Sequence, residues 1–414
     1  MSPAVLSLAA LVAAILLSCV TPVHMGLLAA AAAFLIGHFV AGMKPQAVAA
    51  GFPVALFLTL AGITLLFSMA QCNGTLEQIA RRAVRLARGN RGVIPVVFFL
   101  LALALGAAGP GGIAAAALLA PIALPVAAEC GIPALLMIVM LANGANAGTF
   151  SPLAPTGIIA RDLMQRIGLE AVAWPNFWNT LMAQSLVAAV GFMLLGGQRL
   201  FSAPVTAETQ NRPNSPWTRP QLLTLAVIGA FAAAVAVFGL DAGMAALVGA
   251  SILSVARAAD EEQVWRGAPW SVLFLVCGVT MLVAIAEKTG GMDLFTTLLA
   301  RLATPASIPG MMALVTGLVS VYSSSSGVVM PAFLPAIPGL VAKLGGGDPL
   351  MIAYSVNVGA HLVDVSPLST IGALCLAAVP ASEDRNRAFR QLLIWGWTMS
   401  LAGAVVCQLL FGYR

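Results

Sequence analysis

Four short stretches of the sequence place glycine, proline and small polar residues inside otherwise apolar segments. Residues 144–153 read Gly-Ala-Asn-Ala-Gly-Thr-Phe-Ser-Pro-Leu, and residues 359–368 read Gly-Ala-His-Leu-Val-Asp-Val-Ser-Pro-Leu. The other two stretches are Gly109–Gly112 and Ser323–Gly327. Glycine and proline release backbone groups from a helix, serine and threonine add hydroxyl donors, and a helix that starts at such a break directs its N–H groups towards it. This chemistry suits an anion held without a basic side chain.

Irregular backbone at membrane depth is tolerated only where it lines a cavity or is buried in protein, so these four breaks predict one shared site. We take the interrupted spans to run over Asn143–Gly157 and Asn357–Gly372, and the other two breaks to be hairpin tips. The candidate substrate-binding residues are Gly109, Gly111, Gly112, Asn143, Ser151, Thr156, Ser324, Ser325, Ser326, Ser366 and Thr370.

A count of charges around these breaks points to a co-transported cation. Residues 92–160 contain no Lys or Arg, and Lys343 is the only one in residues 303–380. Two helix N-termini supply roughly half a positive charge each, so a bound dianion keeps about one negative charge. Freed carbonyl, hydroxyl and amide oxygens suit Na⁺, and a proton is the alternative coupling ion. The candidate coupling residues are Asn146, Thr149, Asn357, His361 and Asp364.

Asp364 is the one acidic residue that we place well inside the bilayer. A carboxylate there costs about 2.5–3.5 kcal/mol on insertion scales, which favours a role as cation ligand or proton carrier. His361 lies three residues earlier and is a candidate pH-sensitive partner. The alternative is a structural Asp–His hydrogen bond that holds the break in shape. The first half has Asn146 and Thr149 at these positions, so the role is not shared by both halves.

The composition places the chain in a membrane. Of its 414 residues, 60% are hydrophobic and 8% are charged, against about 25% charged in a soluble domain. These values exclude a soluble enzyme, a disordered chain and a nucleic-acid-binding protein, and they predict an all-α polytopic membrane protein in contact with the lipid bilayer. We find no enzyme motif, metal motif or cofactor motif. A membrane-embedded enzyme that uses a serine of Ser323–Ser326 as nucleophile is a remote alternative.

An internal repeat divides the chain. Gly, Thr, Leu, Ala and Gly within residues 62–74 recur within 278–290, 216 residues later. We assign residues 1–198 to the first repeat, 199–220 to a cytoplasmic linker and 221–414 to the second repeat. The first repeat holds a hairpin at 92–128 and an interrupted span at 131–160, and the second holds them at 308–343 and 350–379. Hydropathy does not distinguish a re-entrant hairpin from two full spans, but either gives each repeat an odd number of spans, five or seven, so the two repeats have opposite orientations.

The basic residues set the orientation. The segment 77–91 has the densest basic cluster, which consists of Arg81, Arg82, Arg85, Arg88 and Arg91. With this cluster in the cytoplasm, 13 of the 20 Lys and Arg residues, counting the cluster itself, fall inside and seven fall outside, as the positive-inside rule requires. Both termini then face outwards. We read the cluster as a plain interfacial helix.

The stretch Asn143–Gly157 resembles the MatC-type dicarboxylate (malonate) carriers, as does the segment from Met1 to about Ala160. The arrangement of two hairpins and two interrupted spans resembles the ion transporter superfamily, which includes the divalent anion:sodium symporters. The resemblance implies that the two tips, Gly109–Gly112 and Ser323–Gly327, occupy the positions at which those symporters have a Ser-Asn-Thr tip. The first tip departs from this pattern because it has no side-chain donor, and the second because it has no Asn.

The resemblance implies about ten transmembrane helices, two re-entrant hairpins, and a homodimer in a bacterial inner membrane. It also implies an elevator motion of a transport domain against a scaffold. We therefore expect a cation-coupled secondary transporter of a small dicarboxylate, malonate or a C4 acid, with no cofactor beyond Na⁺ or H⁺. An ion antiporter or oxyanion exporter of the same superfamily is the alternative.

Overall fold

The structure is a computed structural model that describes residues 2–20, 23–84, 90–202, 216–238, 240–268, 270–380 and 382–412. The end of the basic helix, with Arg85 and Arg88, lies outside these residues, as does most of the linker. The described regular elements are helical. The helices of the first half are α1 (Pro3–Val20), α2 (Met25–Leu35), α3 (Pro45–Ala49), α4 (Val54–Cys72), α5 (Thr75–Val84), α6 (Val93–Ala108), α7 (Gly111–Glu129), α8 (Ala134–Thr149), α9 (Pro155–Arg166) and α10 (Ala173–Leu194).

The second half contains the same succession of elements. Its helices are α11 (Arg219–Ala236), α12 (Ala242–Val255), α13 (Glu261–Gly267), α14 (Trp270–Thr289), α15 (Gly291–Ala300), α16 (Ile308–Ser320), α17 (Met330–Phe333), α18 (Ile337–Leu344), α19 (Pro349–Leu362), α20 (Thr370–Ala377) and α21 (Arg385–Phe411). α4 begins at Val54 and α14 begins 216 residues later, while α8 begins at Ala134 and α19 begins 215 residues later. The spacing of the sequence repeat therefore recurs in the helix order.

The helices have the length and composition of membrane spans. Six stretches within the described residues are at least 18 residues long and apolar enough to cross a bilayer: Val54–Cys72, Gly111–Glu129, Ala173–Leu194, Trp270–Thr289, Ser325–Leu344 and Arg385–Phe411. Shorter apolar helices accompany them. The prediction of an all-helical, multi-pass membrane protein is confirmed.

Helices from the two halves cross each other closely in pairs. α4 packs on α12, and α14 packs on α2. A Cβ atom on Gly62 would lie 2.7 Å from the Gly243 carbonyl oxygen, and one on Gly278 would lie 1.9 Å from that of Gly26. Side chains do not fit at these crossings, so glycine allows the backbones to touch, as in other membrane helix pairs. We call α2, α4, α12 and α14 the frame.

The hairpins pack on the interrupted spans of their own half. α6 and α7 both contact α8, and α16 contacts α19 and α21. Gly144 of α8 and Gly359 of α19 occupy equivalent places, because a Cβ atom on either would meet backbone atoms of α6 or α16 within 2.6 Å. We call α6, α7, α8, α10, α16, α19 and α21 the hairpin bundle.

Several boundaries differ from the predicted ones. The first interrupted span is helical through Thr149 and the second through Leu362, so the unwound segments, 150–154 and 363–369, are shorter than predicted. Asn143 lies inside α8, where its side-chain Nδ2 donates to the Val139 carbonyl one turn earlier, at 2.7 Å, so its polar side chain is accommodated without a break. The second hairpin's outer arm is also less regular than expected, with a π-helical turn at Ser325–Val329 and a 3₁₀ turn at Leu334–Ala336.

Candidate functional site

The first hairpin tip depends on glycine for its shape. Gly109 has φ of +139° and Gly111 has φ of +81°, a region that residues with a side chain rarely adopt. A Cβ atom on Gly109 would also lie 2.1 Å from Cε2 of Phe67 on α4. The N–H of Gly112 donates to Thr149 Oγ1 at 3.3 Å, which ties this tip to the end of α8. The tip thus presents backbone groups and no side-chain donor, as its sequence indicates.

The second tip uses serine side chains to make the same connection. Ser324 caps the π-helical turn, because its Oγ accepts from the Gly327 N–H at 3.0 Å. Ser325 donates to the Asp364 carboxylate, with Oγ 2.5 Å from Oδ1, and its Oγ lies 3.1 Å from the Ala360 carbonyl oxygen. Ser366 donates back to the Val321 carbonyl at 3.1 Å. The tip is therefore fixed to the second unwound segment from both sides.

The Ser-Pro-Leu sequence forms the same turn in both halves. Ser151 Oγ accepts from the Leu153 N–H at 3.3 Å, and Ser366 Oγ accepts from the Leu368 N–H at 3.4 Å. A Cβ atom on Gly157 or Gly372 would lie within 2.2 Å of the carbonyl oxygen of Ser151 or Ser366, respectively. The repeated motif thus specifies how each unwound segment re-enters a helix, which makes Ser151 and Ser366 shape-determining residues.

The two interrupted spans meet each other at His361. Its carbonyl oxygen accepts from Asn146 Nδ2 at 3.3 Å, and its ring packs edge-on against Phe150 with ring centres 4.6 Å apart. The ring Nδ1 lies 2.9 Å from the Asn357 carbonyl, which can only accept, so Nδ1 carries the proton. In the part of the chain that the structure describes, the Asp364 carboxylate bonds to Ser325 and not to His361. The hypothesis of an Asp364–His361 hydrogen bond is therefore wrong.

A cavity of about 220 Å³, which we call the tip cavity, lies where the two tips approach α4. Its lining brings together four predicted residues of the first half, Gly109, Gly111, Gly112 and Thr156, with Ser326 of the second tip. α4 contributes polar groups that the sequence analysis missed, namely Thr64, Ser68 and Gln71, beside an apolar wall that includes Phe67. None of the described lining residues is Lys, Arg, Asp or Glu. The cavity therefore offers dipoles rather than charges.

A second cavity of about 280 Å³ lies on the other side of the second tip, and we call it the serine cavity. Ser323, Ser324 and Thr370 line it, together with His24 at the start of α2 and Ser271 at the start of α14. His24 Nδ1 accepts from the Leu27 N–H at 3.2 Å, and its Nε2 lies 3.1 Å from the Ser271 carbonyl oxygen. His24 thus joins two frame helices beside the tip.

The remaining predicted residues lie inside the hairpin bundle and do not line either cavity. Asn143, Asn146, Asn357 and His361 are buried on helices, with at most 2% of their surface exposed. The carbonyl of His361, in the last turn of α19, accepts from the side chains of Asn146 and Gln184, whereas Asn143 and Asn357 lie further inside their helices. Polar residues of α10, namely Asn176, Thr180 and Gln184, join this group. Their spacing of four residues in an apolar span is a signal that the sequence contains and that our sequence analysis missed.

Comparison with known protein families identifies the chain. The family model described as "Dicarboxylate carrier protein MatC N-terminus" matches residues 1–149 and 219–362. The chain belongs to this family. The two matched segments of the MatC-family protein have nearly equal lengths and start at equivalent points of the two halves. No curated protein matches the chain.

Two solved transporter structures share the fold of this MatC-family protein. MtrF of Neisseria gonorrhoeae is described with a class of antimetabolite efflux pumps. It aligns over 99% of this chain and 95% of its own, with a TM-score of 0.60 and 13% identity. The YdaH transporter of Alcanivorax borkumensis, whose topology is called unusual, aligns over 88% and 87%, with a TM-score of 0.58 and 15% identity. The family is one of dicarboxylate carriers, so this chain is a membrane transporter rather than an enzyme.

Proposed function

We propose that the protein is a cation-coupled secondary transporter of a small dicarboxylate, malonate or a C4 acid, and that the tip cavity holds the substrate. The observation that supports this most is the composition of that cavity. It joins Gly109–Gly112 of one repeat with Ser326 of the other, and it includes Thr156 at the start of α9. Backbone N–H groups at the start of the long helix α7 and two hydroxyl groups suit carboxylate oxygens.

The charge of this cavity supports cation coupling. Its described lining has no basic side chain, so helix dipoles and hydroxyl groups must hold a doubly charged anion. Each helix N-terminus contributes about half a positive charge, which leaves a dianion incompletely neutralised. A cation bound at the same time would remove this imbalance. Dependence of substrate binding on the cation then follows from reciprocal linkage between the two sites.

The packing of the helices supports an elevator type of alternating access. The hairpins and interrupted spans pack on one another in the hairpin bundle, whereas the frame helices pair across the two halves. Both cavities lie where residues of the frame face a hairpin tip. The repeated helix order is what two repeats of opposite orientation would produce. We propose that the protein works as a homodimer in a bacterial inner membrane with both termini outside.

Transport by the purified protein in proteoliposomes would test this proposal. Vesicles loaded with unlabelled malonate or succinate should take up the labelled compound by counterflow, and an inward Na⁺ or pH gradient should accelerate net uptake. Counterflow with neither acid would contradict the substrate assignment. Exchange of Na⁺ for H⁺, or export of an oxyanion, in the absence of a carboxylate would favour the alternative function. A thermal-shift screen of carboxylates with and without Na⁺ is the first step, because a ligand stabilises the state it binds.

A further inference from the structure

Five side chains in the middle of the hairpin bundle have oxygen atoms that lack a hydrogen-bond partner. We call these residues the amide cluster: Asn143, Asn146, Thr180, Gln184 and Asn357. Each is at most 1% exposed. Across the described chain, no partner reaches the side-chain carbonyl oxygens of the four amides or the hydroxyl oxygen of Thr180. Buried polar atoms are almost always satisfied, so several unpaired oxygens in one place require an explanation.

Shared partners bring Asn146, Gln184 and Asn357 together, and helical spacing places Asn143 beside Asn146 on α8 and Thr180 beside Gln184 on α10. Asn146 Nδ2 and Gln184 Nε2 both donate to the His361 carbonyl oxygen, at 3.3 and 3.1 Å. His361 in turn bonds to the Asn357 carbonyl through Nδ1. Asn357 Nδ2 donates to Asn176 Oδ1 at 3.1 Å. These contacts connect α8, α10 and α19 around one point, and Thr180 lies one helical turn from both polar neighbours on α10.

The orientations of three amides are fixed by what they face. Asn143 donates to the Val139 carbonyl, and Asn146 and Gln184 donate to that of His361. A backbone carbonyl only accepts hydrogen bonds, so turning any of these amides over would place oxygen against oxygen. The amide nitrogens are therefore used, and the atoms left without partners are oxygens. The cluster therefore has acceptor oxygens without partners, and a positive charge would satisfy them.

A water molecule fits such a site less well than a cation does. A water molecule has two hydrogens, so it would satisfy only two of the five unpaired oxygens. A cation is satisfied by oxygens alone. Because the ligands are neutral amides and a hydroxyl, without a carboxylate, they suit a monovalent ion rather than Ca²⁺ or Mg²⁺, which are bound through carboxylates.

We propose that the amide cluster binds one dehydrated Na⁺ ion, which is the coupling ion of the transporter. This inference rests on the proposed function. Asn146 is three residues from Thr149, which holds the first tip through the Gly112 N–H. His361 is three residues from Asp364, which holds the second tip through Ser325. An ion here would add one positive charge between the two tips and would order both of them for the anion.

Na⁺ binding by the full-length protein in detergent would test the site in the absence of substrate. We expect Na⁺, but not choline at equal ionic strength, to raise the melting temperature in a saturable way. Thr180→Val removes one ligand oxygen with little change of shape, and Gln184→Leu removes a second one together with the Nε2 donor to the His361 carbonyl. Each should raise the half-saturating Na⁺ concentration at least tenfold, whereas Thr180→Ser should retain the wild-type value. Thr398→Val is the matched control, because Thr398 is exposed and its hydroxyl bonds only within its own helix, to Ile394, at 2.8 Å.

Binding of radioactive Na⁺ to the wild-type protein, and the anomalous signal of Tl⁺ in its crystals, do not depend on the folding of any variant. A Tl⁺ peak among the oxygens of the cluster would support the proposal. No bound Na⁺, a peak elsewhere, or Na⁺ affinities unchanged in folded Thr180→Val and Gln184→Leu proteins would overturn it. Dicarboxylate counterflow separates the two proposals. Counterflow that does not respond to Na⁺ would contradict the cation site and leave the substrate assignment in place. Absence of counterflow would contradict the substrate assignment.

Discussion

Ser325 and Asp364 face each other where the second hairpin tip meets the second unwound segment, with Oγ and Oδ1 2.5 Å apart. Ser325 Oγ also lies 3.1 Å from the Ala360 carbonyl oxygen and is hydrogen-bonded to Ser320. A hydroxyl group has one hydrogen, so it can serve only one of these acceptors at a time. An ionised Asp364 takes that hydrogen. A protonated Asp364 can donate to Ser325 instead, which leaves the serine free to donate to Ala360.

Asp364→Asn should therefore lower transport and reduce its dependence on pH or on the coupling cation. The amide cannot become ionised, so the hydrogen bonds around Ser325 are held in one of their two arrangements. A hydrogen bond to a charged group contributes about 1.5–3 kcal/mol, which corresponds to a loss of about tenfold to a hundredfold. Initial uptake rates in proteoliposomes over a series of pH and Na⁺ values measure the effect.

Asp348→Asn is the matched control for this change. Asp348 is exposed at the start of α19, where its carboxylate accepts from the Leu350 N–H at 2.8 Å. The control removes a carboxylate at the opposite end of α19 from Asp364 without touching a tip, so its uptake should stay within about twofold of wild type. Uptake by Asp364→Asn that equals wild type at every pH and Na⁺ concentration would make this carboxylate structural.

The sequence predicted most of the fold because the repeat is encoded in small residues. Gly144 and Gly359 match in the sequence, and in the structure both allow a hairpin helix to contact an interrupted span. The pattern could not locate the ends of the unwound segments. Asn143 and Asn357 looked like the start of a break, but each side chain finds a partner that is compatible with a helix. Such bonds depend on the neighbouring helices, which a single sequence does not reveal.

The candidate site was predicted in part. The tips were recognised from their glycine, proline and serine content, and four predicted residues of the first repeat meet Ser326 of the second in one cavity. Thr64 and Gln71 were missed because isolated polar residues in an apolar span carry no local motif. The alternative of a hydrogen bond between Asp364 and His361 rested on their helical spacing, but α19 ends at Leu362 and the chain turns before Asp364, which bonds to Ser325. Helical spacing holds only as far as the helix continues.

Ser326→Leu should abolish substrate binding while the protein stays folded. Ser326 lines the tip cavity beside Gly109–Gly112, so the larger side chain would occupy space that the substrate needs. We expect stabilisation by malonate or succinate to require at least ten times more ligand than in the wild type, measured by thermal shift. Ser251→Leu is the control, because Ser251 is exposed on α12. Wild-type affinity in Ser326→Leu would place the substrate elsewhere, and the serine cavity would be examined next.

Gly109→Ala should destabilise the protein more than the same substitution of a glycine in an exposed turn. The new methyl group would lie 2.1 Å from the Phe67 ring, in addition to the backbone cost of placing a side chain at φ of +139°, a conformation that favours glycine. Gly168→Ala is the control for a positive φ without a clash, because Gly168 has φ of +82° and no atom within 4 Å of the added carbon. Melting temperatures in detergent should fall clearly further for Gly109→Ala. Equal decreases would show that the tip can move away from Phe67.

Opposite orientation of the two repeats can be tested at a pair of equivalent positions, Cys72 and Lys288. Both lie at the exposed end of a frame helix, Cys72 on α4 and Lys288 on α14, 216 residues apart. If the repeats are inverted, these positions face opposite sides of the membrane, whereas parallel repeats would place them on the same side. A membrane-impermeant maleimide should label Cys72 in a Cys19→Ser background only from the cytoplasmic side. Lys288→Cys, made in a Cys19→Ser and Cys72→Ser background, should be labelled only from outside. Labelling of both positions from one side would contradict the inverted repeat, and with it the joint site of two opposed hairpins.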